Sequence, residues 1–65
     1  MTIEEVMEGI YENQELLKEQ IKNGDKTANN VASLYNMVTK FAEHVSVTLL
    51  ICAYEDWCKE NSINA

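Results

Sequence analysis

His44, Cys52, Asp56 and Cys58 are side-chain types that hold metals or attack substrates, and they lie close together in sequence. They lie eight, four and two residues apart, which fits no zinc pattern, and only Cys52 and Asp56 share a helix face one turn apart. A nucleophilic thiol needs a base within reach and an activating environment. Glu55, Asp56 and Glu60 surround Cys58 in sequence, and their charge would keep a thiol protonated. The expectation is therefore no catalytic residue, no metal ligand and no cofactor. Cys52 continues an apolar stripe and is expected to be buried as a small hydrophobe, whereas Cys58, near a helix end, is expected to be more accessible. Six residues apart on a helix, the two point to different faces, too far apart for a bridge within one chain.

The other chemically notable group is a row of carboxylates. Glu5, Glu8, Glu12, Glu15 and Glu19, with Glu4, fall on one arc at helical spacing. Acid–base catalysis would need a cleft and environments that separate the carboxyl pKa values, and the sequence suggests neither. What such a row offers is an electrostatic surface, able to dock a basic protein or imitate a phosphate backbone. The commoner reading is the solvated side of an amphipathic helix. Net charge is −6, with five lysines and no arginine, which disfavours direct nucleic-acid binding. His44 reads as a surface or interface histidine.

The elements that must carry these residues are helical. Thr2-Ile3-Glu4-Glu5 has the form of a capping box. From it, Ile3, Val6, Met7, Ile10, Leu17 and Ile21 make one narrow apolar arc, and the spacing predicts a helix over about 3–23 with Gln14 as the polar member of its seam. Asn23-Gly24-Asp25 ends it, with a turn at 24–26 and Asp25 or Thr27 available to cap the next helix. That second, longer helix is expected over about 27–60, possible breakage being placed near His44 to Ser46, with Ser46 as the cap of a third helix and a polar tail at 61–65. A strand from His44 to Tyr54 is the weaker alternative, because it would have no partner in the chain.

Within the longer helix, Val31, Leu34, Tyr35, Val38, Phe41, Ala42 and Val45 form one stripe that continues through Leu49, Cys52 and Ala53. A second stripe of Val47, Leu50, Ile51, Tyr54 and Cys58 appears on the far side, with Trp57 between the two. Apolar residues all round imply burial all round. One hairpin has too little material to supply it. The expected architecture is thus all-α, an antiparallel helical hairpin dimerising into a four-helix bundle, with Val45, Leu49, Leu50, Ile51, Cys52, Tyr54 and Trp57 at the oligomer interface.

The N-terminus shows no basic region followed by an apolar core, and no apolar run is long enough to span a bilayer. A reducing, cytoplasmic setting is expected. In function the sequence points to a small acidic interaction module, an inhibitor or modulator of a larger protein of the kind phages and mobile elements encode. A purely structural dimerisation module and an acidic nucleic-acid mimic are the alternatives.

Overall fold

Thr2 starts the first helix as the sequence requires. Its hydroxyl accepts the Glu5 amide at 3.2 Å, and the Glu5 carboxylate accepts the Thr2 amide at 2.9 Å, so both halves of the capping box are formed. The computed structural model describes residues 1–41 and 44–63. Their helices are α1 (Ile3–Glu12), α2 (Gln14–Lys22), α3 (Lys26–Phe41) and α4 (His44–Glu60). The chain is all-α, four helices packed into one globule.

The helix expected over 3–23 is present but bends at Asn13, whose ψ of 19° departs from the helical value. The cause is local. The Asn13 side-chain amide donates to the Gly9 carbonyl at 2.8 Å, and the Asn13 backbone amide donates to the same oxygen at 3.0 Å. Side-chain competition of this kind gives the backbone an alternative to the regular ladder. The bend lets α1 lie on α4 while α2 lies on α3.

Two further ends share one design. At Gly24 (φ 84°) the Asp25 amide donates to the Gln20 carbonyl and the Gly24 amide to the Ile21 carbonyl. At Ser62 (φ 56°) the Ile63 amide donates to the Cys58 carbonyl and the Ser62 amide to the Lys59 carbonyl. Both are Schellman closures with a left-handed residue just past the helix. Asp25 then caps α3, its carboxylate accepting the Ala28 amide at 3.0 Å. Within the expected polar tail, Asn61 to Ile63 close α4, and Ile63 packs against the core.

The single long helix over 27–60 is replaced by α3 and α4, which make the most extensive packing in the molecule. The start of α3 (Lys26, Thr27, Asn30) faces the end of α4 (Asp56, Lys59, Glu60) across a shared cleft, so the two run antiparallel. Ser46, expected to cap a third helix, instead lies buried inside α4. His44 to Ser46, where the break was expected, belong to α4; residues 42 and 43, just before them, lie outside the described residues. His44 to Tyr54 is helical throughout, so the strand alternative falls.

Packing supplies the reason. A two-helix hairpin would leave the later half of the longer helix uncovered; folded back, α4 gains α3 on one flank and α1 on the other. The core is Val6, Ile10, Leu17, Ala28, Val31, Leu50, Ala53, Tyr54, Trp57 and Cys58. Fully burying a side chain the size of leucine contributes about 1.5–3 kcal/mol, and Leu50, Tyr54 and Trp57 are all buried in this way. The radius of gyration is 10.7 Å, and about 11 Å is expected of a compact chain this long. The 4543 Å² of exposed surface sits close to the roughly 4,200 Å² expected of a folded monomer of this mass. One copy thus wraps most of the apolar surface that the sequence pattern assigned to a bundle of two.

Candidate interaction surface

The two stripes of α4 meet different environments, and that asymmetry builds the candidate site. Leu50, Ala53, Tyr54, Trp57 and Cys58 point inward. Trp57 is fully buried, its ring centroid 5.9 Å from that of Tyr54. Its indole N–H donates to Gln20 Oε1 at 2.7 Å; Gln20 Nε2 donates to Asn61 Oδ1 at 2.5 Å; Asn61 Nδ2 donates to the Trp57 carbonyl at 2.8 Å. This closed ring of amides ties α2 to the end of α4 and satisfies the one polar atom that burying a tryptophan strands.

Tyr54 reaches across to α1. Its hydroxyl occupies the space where a side chain at position 9 would stand, well inside contact distance of a Cβ built on Gly9. Glycine is required there by close approach. Burial, helped by a hydrogen bond with the Cys58 thiol, pushes the Tyr54 phenol up to about 12, against a smaller opposing bond from Asn13. At neutral pH it is a proton-bearing structural group.

On the opposite side of α4, Val45 and Leu49 stand in water with 71% and 50% of their surface exposed, and Cys52 is exposed one turn further on. The end of α3 adds Phe41 at 67% and Met37 at 41%. The spacing is four residues from Met37 to Phe41 and from Val45 to Leu49, then three to Cys52, so each helix presents its members on one face. Between Val45 and Tyr54 there is no lysine, aspartate or glutamate. Scattered exposed hydrophobes are ordinary on a monomer; here the α4 members lie in a stretch free of lysine and carboxylates, while Lys40 and Glu43 stand between them and Met37 in sequence.

The residues expected at an oligomer interface therefore divide. Leu50, Tyr54 and Trp57 are consumed by the chain's own core and are corrected to core residues. Ile51 is half-buried against them. Val45, Leu49 and Cys52 remain on the surface. The two cysteines also exchange their expected roles: Cys52 is exposed and Cys58 is buried, both as free thiols. The sequence signal was ambiguous because both stripes are apolar; which one turns inward depends on where α1 lands.

No family model, curated protein or solved structure matches this chain.

Its second surface feature is the carboxylate row. Glu5, Glu8, Glu12, Glu15 and Glu19 are all exposed along α1 and α2, on either side of the bend. Glu5 has a task of its own, because accepting the Thr2 backbone and side-chain hydrogen bonds holds its carboxyl below the usual value. An open acidic cleft adjoins the row, lined by Glu5, Glu8, Glu12, Asn13, Tyr54 and Ile63. A narrower apolar groove of about 220 Å³ runs between α2 and α3, and Gln14 lies on its wall beside Tyr35 and Asn36. Among the described residues, no three His, Cys, Asp or Glu side chains gather as a metal site would need, and no helix is long and apolar enough to cross a membrane.

Residues that sequence reasoning missed are those whose role depends on a distant neighbour: Gly9, Gln20, Asn61 and Ile63. Only Gly9 left a trace, as the single glycine inside an otherwise regular helical pattern.

Proposed function

We propose that this chain is a small acidic protein–protein interaction module, an inhibitor or modulator of a larger protein, and that its contact surface is the band formed by Met37, Phe41, Val45 and Leu49. The observation that carries this reading is the exposure of that band on a molecule whose other large apolar residues are mostly packed away. Leaving four such side chains in water forgoes stabilisation of order 1 kcal/mol or more each, which a partner surface would recover. Depletion of charge from Val45 to Tyr54, with Lys40, Glu43, Glu55 and Asp56 flanking that stretch in sequence, fits the anatomy of an interface core and rim.

The test is capture of partners from the natural host on immobilised protein, read by mass spectrometry. Leu49→Asp and Val45→Asp should remove the captured protein, while Glu8→Gln, on the opposite part of the molecule, should leave it. Capture that survives both band substitutions rejects the reading.

The nucleic-acid mimic remains a second reading because four of the exposed glutamates, Glu8, Glu12, Glu15 and Glu19, have no capping role. In that case binding would fall steeply with salt and with their replacement by glutamine, and would ignore Leu49.

A further inference from the structure

We infer that the band on α3 and α4 is occupied by a second copy of the same chain, with α4 packing antiparallel on its counterpart about a two-fold axis near Leu49. The inference rests on the reading that this band is a contact surface, and it names what covers it.

Three features of the band fit a copy of itself. The first is pattern. Val45, Leu49 and Cys52 follow the four-then-three spacing of a helix–helix seam. An axis through Leu49 sets leucine on leucine and Val45 near Cys52 of the other copy, so the central facing pairs are apolar, and exposed Asp56, one turn past Cys52, lies at the outer edge of the seam. Phe41 and Met37, at the end of α3, extend the contact beyond the α4 seam.

The second is charge. A chain of net charge −6 repels its own copy over most of its surface, and it can approach only where carboxylates are absent. The α4 segment from His44 to Tyr54 is such a place, while Glu55, Asp56 and Glu60 crowd the far end of the helix. Antiparallel pairing about Leu49 puts the two Asp56 residues about 21 Å apart along the helices, since each lies seven residues from the axis at 1.5 Å per residue. That separation exceeds the Debye length of about 8 Å in physiological salt. Parallel pairing would bring the acidic ends together at about 8–10 Å, the distance between packed helices. Antiparallel pairing also sets the helix dipoles head to tail.

The third is area. The exposed parts of Met37, Phe41, Val45 and Leu49 amount to an apolar patch on the order of 400 Å², the size of the largest patch on an ordinary monomer. Two copies pressed together there, with their rims, would bury about 1,000 Å², the lower bound of a specific interface. The consequence is a weak dimer of already folded subunits, with dissociation in the micromolar to millimolar range, and no obligate assembly.

Sedimentation equilibrium of the full chain from about 10 µM to 1 mM tests this. The weight-average mass should rise from 7.4 kDa toward twice that value, and added salt should strengthen association by screening the net charge. Leu49→Asp should hold the mass at the monomer value across the range with unchanged helical circular dichroism; Val45→Lys provides the same reading should the first variant lose helicity. Glu12→Gln should still dimerise. A wild-type chain that stays monomeric at 1 mM, or a folded Leu49→Asp chain that associates as the wild type does, overturns the inference. A monomeric wild type whose host partner is still lost on Leu49→Asp overturns the second copy alone and leaves the contact surface standing.

Discussion

Among single residues, Gly9 and Ser62 make opposite demands. Alanine is normally the better helix former by about 1 kcal/mol. At Gly9 the sign reverses, because a Cβ meets the Tyr54 hydroxyl and ring well inside contact distance, and the ring must shift. Gly9→Ala should lower stability by about 1–3 kcal/mol in chemical denaturation, the usual range for overpacking; a neutral or stabilising result would mean that α1 and α4 do not approach as described. At Ser62 a β-carbon already sits at positive φ, closing α4 at a steric cost that glycine avoids. Ser62→Gly should stabilise by about 0.5–1 kcal/mol, raising the melting temperature by several degrees in a domain of this size. Loss of stability there would show that the serine hydroxyl matters more than the backbone.

Elements follow from these residues unevenly. Capping box, Gly24 closure and the Asp25 cap were all legible, because each is written in a few adjacent residues and acts within one turn. The buried arc of α1 and α2, with Val6, Ile10 and Leu17 inside, was legible for the same reason of local periodicity. What periodicity does not carry is continuity. Asn13 looks like any polar residue on a helix until its amide takes the Gly9 carbonyl. Residues 27–60 contain neither glycine nor proline, so the one local mark of a division is Ser46 as a helix cap, and that residue instead lies buried inside α4. Tertiary burial of the Leu50, Tyr54 and Trp57 side decides it, overriding a sequence that is helical almost throughout.

For the molecule as a whole, the sequence pattern correctly registers more apolar surface than a hairpin can cover, but the remedy differs. The chain forms four helices among the described residues and covers one α4 stripe with its own α1 and α3, leaving the other stripe largely exposed. The candidate surface was therefore half legible: Val45, Leu49 and Cys52 were included among the interface residues, but Leu50, Tyr54 and Trp57 beside them belong to the core. The reason is geometric, since two apolar stripes on one helix are equivalent until a third element chooses between them. The acidic row on α1 and α2 was readable in full, as exposure on the polar arc of an amphipathic helix usually is.

Two adjacent leucines on α4 separate the core from the contact band. Leu50 is completely buried and Leu49 is half in water, so urea denaturation of dilute protein should show Leu50→Ala losing about 2–5 kcal/mol and Leu49→Ala less than about 0.5 kcal/mol. Equal losses at the two positions, or the larger loss at Leu49, would contradict the orientation of α4 on which the core and the contact band both depend.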